Sequence, residues 1–176
     1  RDGVNQLWLQ DDGEWSRNPS IESAQEAPLE TVDGAMFDAD HDGDLDIYAV
    51  NGNGPSVLLN NNRDGSWRRI GPEEGLPATG AGSRQVLVTD IDRDRDLDLI
   101  VLNKDAPNDV FVNDRLWRYR AAEGFDEFRS RRIMSIVAGD EDVDGVPELI
   151  TRDPDGVLHR WTPGDSGRWN PIVMDQ

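Results

Sequence analysis

Three short segments of this sequence concentrate carboxylate side chains at alternating positions. They run from Asp38 to Asp46, from Asp90 to Asp98 and from Asp140 to Glu148, and each contains five acidic residues. A hard divalent cation such as calcium takes six to eight oxygen ligands, and carboxylates at this spacing can supply them if the chain curls. Without a cation, crowded carboxylates repel one another by about 1 kcal/mol per close pair. The segments therefore predict calcium loops, with solvated acidic turns as the simpler alternative.

The predicted ligands occupy positions 1, 3, 5, 7 and 9 of each segment. In the first loop, the seventh residue is expected to offer its main-chain carbonyl and the others their side chains. The full set of predicted metal ligands is Asp38, Asp40, Asp42, Asp44, Asp46, Asp90, Asp92, Asp94, Asp96, Asp98, Asp140, Asp142, Asp144, Val146 and Glu148. The pattern has no glutamate at position 12 and no flanking helices, so it is not an EF-hand.

The sixth position distinguishes the second loop from the other two. Gly43 and Gly145 stand there in the first and third loops, and glycine permits the unusual backbone angles of a tight curl. Arg95 replaces glycine in the second loop, at an expected conformational cost, and its guanidinium adds a positive charge beside the carboxylates. Glu148 stands in the third loop where a shorter aspartate is expected, and its longer side chain can still reach a cation. Up to three calcium ions are predicted.

The acidic segments belong to an internal repeat. They begin 52 and 50 residues apart, and Trp15, Trp67, Trp117 and Trp169 recur at intervals of 52, 50 and 52 residues. A period near 50 indicates a propeller or another repeat array. The recurring tryptophans are expected to pack between repeats. Trp8 and Trp161 break the period, which makes them the better candidates for an exposed recognition surface.

Each repeat is predicted to form four β-strands, with the acidic loop between the first and the second. In the second strand Leu97–Leu102, apolar residues occupy both faces, as expected of a strand that is covered on both sides. Short apolar runs and turns rich in Asn, Gly, Pro and Asp follow in each repeat. The predicted fold is all-β, with propeller blades of four antiparallel strands. An elongated stack of β-hairpins is the alternative.

The repeat divides the chain into one propeller segment of about three and a half blades. Residues 1–31 form a half blade and a linker, and the blades span residues 32–83, 84–132 and 133–176. Three and a half blades do not close a ring. We therefore expect a larger propeller or association with other chains, including self-association, through the open blade edges.

One segment of the sequence resembles a known repeat family. Residues 75–103, with the acidic loop and both flanking strands, closely resemble the FG-GAP/VCBS repeat, and so does the Leu-Leu-Asn-Asn run before Trp67. That family forms the β-propeller of integrin α subunits and of many bacterial surface proteins. The resemblance implies that the loops lie at one face of a propeller, where bound calcium stiffens the blades. Arg95 and Glu148 depart from the usual pattern.

Composition narrows the choice of partners and location. The chain has 36 acidic and 18 basic residues, a net charge of −18, no cysteine and no apolar run long enough to span a bilayer. This charge disfavours nucleic acid and anionic membranes, so neither nucleic-acid binding nor membrane insertion is predicted. Loops of this kind in extracellular modules bind calcium at about 10⁻⁴–10⁻³ M. An extracellular, periplasmic or cell-surface location is therefore expected.

The leading functional hypothesis is a non-catalytic calcium-binding propeller module that binds an extracellular protein or glycan, or that serves cell-surface assembly. One alternative is the propeller part of a larger secreted enzyme, of the polysaccharide lyase or phospholipase type. His41 and His159 lie in no motif with a nucleophile, so the sequence offers little for catalysis. The other alternative is a structural subunit of a surface fibre or sheath.

Overall fold

The computed structural model describes residues 3–25, 30–72, 75–76, 79, 82–105, 107–115 and 118–174. These residues contain fourteen strands and two short helices. The strands are β1 (Leu7–Asp11), β2 (Glu14–Asn18), β3 (Thr31–Phe37), β4 (Asp46–Asn51), β5 (Val57–Asn61), β6 (Trp67–Ile70), β7 (Ser83–Thr89), β8 (Asp98–Asn103), β9 (Asp109–Asn113), β10 (Tyr119–Ala121), β11 (Ser135–Gly139), β12 (Glu148–Arg152), β13 (Leu158–Pro163) and β14 (Trp169–Val173). The helices are α1 (Ser20–Ala24), inside the predicted linker, and α2 (Asp126–Ser130).

The strands form four antiparallel sheets in chain order. Strands β1 and β2 pair as a two-stranded sheet. The first four-stranded sheet is β3–β6, the second is β7–β10 and the third is β11–β14, and each is a simple meander of neighbouring strands. The prediction of an all-β chain with four-stranded antiparallel sheets is confirmed. Within each four-stranded sheet, the acidic loop joins the first strand to the second.

Side chains from neighbouring sheets share common cores. The first and second sheets meet around Tyr48, Leu58, Leu99 and Phe111, all of which are buried. The second and third sheets meet around a larger cluster that includes Ile100, Leu149, Trp161 and the α2 residue Phe128. All six residues of β8 are buried, so the predicted strand with two apolar faces is covered on both sides.

Side chains also bond the first strands of successive sheets to one another. The Val86 amide of β7 donates to Oδ2 of Asp33 in β3, over 2.9 Å. One sheet further on, the Ile136 amide of β11 donates to Oε1 of Gln85 over 3.2 Å, and Gln85 Nε2 donates to the Ile136 carbonyl over 3.0 Å. The same kind of link is therefore repeated at both junctions between four-stranded sheets.

The sequence period predicted one repeated position for the recurring tryptophans, but of the three that the structure describes only Trp67 and Trp169 share one. The strand register places Trp67 opposite Asn61 and Trp169 opposite Pro163, whereas Tyr119 takes the matching place opposite Asn113. Trp169 is buried in the cluster shared by the second and third sheets, and Trp67 packs on a smaller cluster of the first sheet. Trp15 is 63% exposed, so its predicted packing is wrong. Trp117 lies outside the described residues.

Trp161 is fully buried, so its prediction as an exposed recognition residue is wrong, whereas Trp8 is 50% exposed. The Trp161 ring meets Phe128 edge-on at 5.1 Å between centroids, and its Nε1 donates to Oγ1 of Thr151 over 2.8 Å. The surface prediction failed because the side chain of Trp161 points into the core that α2 helps to build. Trp161 therefore stabilises the junction of the second and third sheets.

Truncation of the two tryptophans should separate these roles. Trp161→Ala is expected to lower the free energy of unfolding by about 3–5 kcal/mol, because it leaves a large cavity beside Phe128. Trp8→Ala removes the same side chain from an exposed position and should change the free energy of unfolding by no more than about 0.5 kcal/mol. Urea unfolding followed by far-ultraviolet circular dichroism provides both values. Equal losses for the two variants would contradict the placement of Trp161.

Candidate metal loops

Each acidic loop is curled by hydrogen bonds from its own backbone to its own carboxylates. In the first loop, the amides of Asp42 and Gly43 donate to Oδ1 and Oδ2 of Asp38, over 3.1 and 3.0 Å. In the third loop, the amides of Asp144 and Gly145 donate in the same way to Asp140. Because these bonds fold positions 5 and 6 back over position 1, side chains at alternating positions turn towards one point.

Three carboxylates come together in each loop. The groups are Asp38, Asp40 and Asp42 in the first loop, Asp90, Asp92 and Asp94 in the second, and Asp140, Asp142 and Glu148 in the third. Within each group, one oxygen from every residue lies within 4.8 Å of the others. Oxygens at this separation can all contact one cation at the 2.3–2.6 Å of calcium coordination. The structure thus assembles nine of the fifteen predicted ligand residues into three groups that can hold a metal ion.

The ninth position is buried and anchors the loop to the sheet. Asp46 accepts the amides of Ala39 and Asn61, each over 2.9 Å. Asp98 accepts the amides of Ile91 and Asn113 over 2.7 and 2.8 Å, and it is fully buried like Asp46. Each aspartate therefore ties its loop to the third strand of the same sheet.

Glu148 takes the ninth position of the third loop in a different way. Its Oε2 accepts a hydrogen bond of 2.7 Å from the amide of Glu141, the second residue of the loop. Asp46 and Asp98 accept the same bond from the second residues of their own loops. The longer side chain also brings an oxygen into the group formed with Asp140 and Asp142, whereas Asp46 and Asp98 stay outside the corresponding groups. The departure from aspartate thus brings position 9 closer to the candidate ion.

The seventh position faces a neighbouring loop in the second sheet. Asp96 is fully buried, and its Oδ1 lies 2.9 Å from Nε2 of His41, which belongs to the loop of the first sheet. Its Oδ2 accepts a hydrogen bond of 3.0 Å from Nε of Arg115. In addition, Asn113 Nδ2 donates to the carbonyl of Ala39 over 3.0 Å. The first two loops are therefore in direct contact, and no sequence pattern predicted this contact.

At position 7 of the first loop the ionic contact is longer than that of Asp96, and the third loop has no carboxylate at this position. The Asp44 carboxylate lies 3.8 Å from Nε of Arg63, which also donates to the carbonyl of Asp42 through Nη1. In the third loop, Val146 replaces the aspartate, and its amide donates to Oδ1 of Asp144 over 2.7 Å. Whether the main-chain carbonyls at position 7 bind an ion stays a prediction.

Electrostatics oppose full ionisation of these loops in the absence of a cation. Burial, followed by the charge of Asp42, raises the pKa of Asp40. Burial and then the charge of Asp94 raise the pKa of Asp92 in the same way. At position 9, burial outweighs two amide hydrogen bonds and raises the pKa of Asp46 to about 6 and that of Asp98 to about 7. A bound cation would offset the free-energy cost of ionising these carboxylates together.

A buried oxygen of the second loop supports the fit to a cation. Oδ1 of Asp90 is inaccessible to solvent and has no hydrogen-bond partner among the described residues. A buried carboxylate oxygen without a donor is costly unless a cation or a water supplies the missing interaction. All the side-chain donors in the three groups are oxygens, which is the chemistry that calcium and magnesium prefer. The residues present therefore fit a hard cation.

Each loop contains two residues with left-handed backbone angles. At position 6, φ is +91° at Gly43, +76° at Arg95 and +85° at Gly145, so the predicted cost at Arg95 is real. At position 4, φ is +63° at His41, +65° at Arg93 and +60° at Val143. Sequence reasoning missed this second position because none of its three residues is glycine. A β-branched valine at positive φ is strained.

Comparison with known proteins agrees with this geometry. Residues 38–101 match the family model described as an FG-GAP-like repeat. The match begins at the first ligand of the first loop and ends inside β8, so it includes the first two loops. Residues 38–101 are thus similar to an FG-GAP-like repeat, and the resemblance predicted from the sequence is confirmed over that range. No match to a curated protein was found. Among the described residues, none of the helices has the length and apolar character needed to cross a membrane.

The backbone at Arg95 leads to a testable difference between two substitutions. Arg95→Gly and Arg95→Ala remove the same charge, but only glycine adopts positive φ without steric cost. In excess calcium, Arg95→Gly should therefore be more stable than Arg95→Ala by about 1 kcal/mol. Chemical denaturation of both variants measures the difference. An alanine variant as stable as the glycine variant would contradict the left-handed conformation.

Proposed function

We propose that this chain is a calcium-binding, non-catalytic module of the β-propeller type, in which each four-stranded sheet is one blade. The observation that carries the proposal is the convergence of three carboxylates at the same point of three successive sheets. The match to an FG-GAP-like repeat supports it, because that family builds propellers with loops of this kind. In the blade numbering of the proposal, β1 and β2 are the outer half of a further blade.

Calcium suits these loops better than the other biological cations. Zinc and copper favour thiolate and imidazole ligands, but the chain has no cysteine, and His41 points to Asp96 in the neighbouring loop. Magnesium demands a nearly ideal octahedron at short distances, whereas calcium accepts irregular sets of carboxylates and carbonyls. The fifteen predicted ligand residues provide such sets, including the seventh-position carbonyls of Asp44, Asp96 and Val146.

The proposed role of the ions is structural. Each would neutralise carboxylates whose pKa is raised by burial and mutual repulsion, and would hold the loop against the top of its blade. Three calcium ions would change the formal charge of the chain from −18 to −12. In a chain without disulfides, metal ions at the blade tops would stiffen the array in their place.

The contacts of His159 and Ser83 favour a binding role over catalysis. His159 Nε2 lies 3.2 Å from Oδ2 of Asp153, and Oγ of Ser83 donates to Oδ1 of Asn103 over 2.8 Å. In the part of the chain that the structure describes, neither histidine is paired with a serine nucleophile. We propose a protein or glycan ligand and an extracellular, periplasmic or cell-surface location, because loops of this class fill at about 10⁻⁴–10⁻³ M calcium.

Thermal unfolding in calcium and in EDTA tests the proposal. At calcium 100-fold above the dissociation constant, each filled loop adds about 2.7 kcal/mol to the free energy of unfolding. For a chain of this size, that corresponds to a rise of about 5 °C or more in the melting temperature. Magnesium at the same concentration should give a smaller rise.

A matched pair of variants ties the effect to the loops. The triple variant Asp40→Asn, Asp92→Asn, Asp142→Asn removes one carboxylate from every group and should lose most of the calcium-dependent rise. The control variant Asp12→Asn, Asp105→Asn, Asp165→Asn makes the same change of charge at exposed positions outside the loops and should keep it. A wild-type melting temperature that is the same in calcium and in EDTA would refute the proposal.

A further inference from the structure

Asn113 connects the buried anchors of the first two acidic loops. Its main-chain amide donates to Oδ1 of Asp98, the anchor of the second loop, over 2.8 Å. Its side-chain Nδ2 donates to the carbonyl of Ala39 over 3.0 Å, and the Ala39 amide donates to Oδ2 of Asp46, the anchor of the first loop. Each of these residues is at most 1% exposed. We call this unbroken series of hydrogen bonds from Asp46 to Asp98 the anchor bridge.

The anchor bridge enters the first loop beside its candidate ligands. Ala39 is the second residue of that loop and lies between Asp38 and Asp40, whose carboxylates belong to the first group. Because the amide and the carbonyl of Ala39 are both bonded, the peptide groups on either side of it are held in place. Moving the backbone between the two ligands would break a buried hydrogen bond, which is costly.

A second contact joins the same two loops nearer to their surface. His41, between Asp40 and Asp42, places Nε2 2.9 Å from Oδ1 of Asp96. This is a close polar contact and not an aligned hydrogen bond. The Asp96 amide donates in turn to Oδ1 of Asp94, a member of the second group of carboxylates, over 2.9 Å. Two separate routes therefore connect the candidate ligands of the first loop to those of the second.

The third loop lacks the residues that form both routes. Strand register gives Pro163 the place in the third sheet that Asn113 has in the second. Proline has no main-chain N–H and no side-chain donor, so it can form neither bond of the anchor bridge. Val146 stands at position 7 in place of Asp96, and it offers no carboxylate to Arg93, the position-4 residue of the second loop. The second and third loops are therefore not joined in this way.

The other bonds at the two junctions lie away from the loops. Those between Gln85 and Ile136 join first strands four or five residues before their loops begin. The bond from Val86 to Asp33 has the same place at the junction of the first and second sheets. Apolar packing also occurs at both junctions. These shared contacts hold the sheets together, whereas the anchor bridge distinguishes one pair of loops from the other.

We propose that calcium binding at the first loop and at the second loop is positively coupled through the anchor bridge, whereas the third loop binds its ion independently. The coupling rests on the proposed function, since only loops that bind calcium can be coupled. An ion that orders one loop also orders its end of the anchor bridge, so the other loop loses less conformational freedom when it binds. Asn113 and His41 are positioning residues in this scheme. Repulsion between the two ions opposes the coupling, but salt screens it.

The amide at position 6 can report on each loop separately. The amides of Gly43, Arg95 and Gly145 donate to the first aspartate of their own loops over 3.0, 3.1 and 3.0 Å. Because that aspartate is a candidate ligand, its amide partner should change chemical shift when an ion binds. A calcium titration of the isotopically labelled chain by nuclear magnetic resonance, at about 0.15 M salt, then yields one midpoint for each loop.

A matched pair of variants tests the coupling at the second loop, which lies between the other two. Asp40→Asn removes a carboxylate from the first loop, and Asp142→Asn makes the same change of charge in the third. The midpoint at Arg95 should be at least about fivefold higher in Asp40→Asn than in Asp142→Asn, because coupling between sites is usually fivefold or more. Reciprocity requires Asp92→Asn to raise the midpoint at Gly43 by the same factor.

Substitution of Asn113 assigns the effect to the anchor bridge. Asn113→Ala keeps the main-chain bond to Asp98 and removes the bond to Ala39, so the difference between Asp40→Asn and Asp142→Asn should shrink in its background. Asn61→Ala makes the same substitution at the matching position of the first sheet and should keep the difference. Circular dichroism melts show whether each variant is folded. If Asn113→Ala does not fold, the pair of aspartate variants still decides the question.

The outcomes separate the coupling from calcium binding itself. Equal midpoints at Arg95 in Asp40→Asn and Asp142→Asn, or a lower one in Asp40→Asn, would overturn the coupling and leave the calcium proposal intact. A midpoint at Gly145 that rises as much as that at Arg95 after Asp40→Asn would overturn the independence of the third loop. If millimolar calcium shifts none of the three amides, the proposed function fails and the coupling fails with it.

Discussion

The architecture depends on buried carboxylates that bond to main-chain amides at the base of each acidic loop. Asp46 and Asp98 each accept one amide from their own loop and one from the third strand of their sheet. A buried ionised carboxylate is tolerated only when donors compensate for its lost hydration. The sheet must therefore present those amides at fixed positions, and the loop must leave the strand in the same way each time. This anchor lets alternating aspartates of the loop meet at one point.

The same constraint explains how the loops of the first and second sheets come into contact. Because the anchors fix the loops against their own sheets, the fourth residue of the first loop is directed at the seventh residue of the second. His41 and Asp96 meet there, and Arg115 approaches the same carboxylate from the turn between β9 and β10. The third loop has Val146 in place of that aspartate, so no such ion pair forms at position 7 there. The junction between the second and third sheets combines apolar packing around Phe128 and Trp161 with the hydrogen bonds between Gln85 and Ile136. Adjacent repeats thus use different chemistry at equivalent positions.

Much of the fold followed from local patterns in the sequence. The apolar faces of Leu97–Leu102 predicted a strand covered on both sides, and glycine at position 6 of two loops predicted the left-handed angle that Arg95 also adopts. The groups of three carboxylates could be anticipated because a curled loop brings alternating side chains together. Two features decided within one loop or one sheet were nevertheless missed. The positive φ at position 4 was missed because none of its residues is glycine, and the place that Tyr119 shares with Trp67 is set by strand register rather than by tryptophan spacing.

Features that depend on contacts between sheets were missed. The burial of Trp161 depends on α2, because Phe128 of that helix, which belongs to the preceding repeat, packs against its ring. The contact of His41 with Asp96 joins residues 55 positions apart. Nothing in a single repeat specifies these pairs, because each is fixed only when two sheets pack.

Isothermal titration calorimetry of the metal-free chain with calcium tests the central claim most directly, because it counts the ions that the loops hold. The account predicts up to three calcium ions per chain, with one fewer after Asp40→Asn and an unchanged number after Asp105→Asn. A chain that takes up no calcium at millimolar concentration, or that binds the same number of ions after Asp40→Asn, would contradict it.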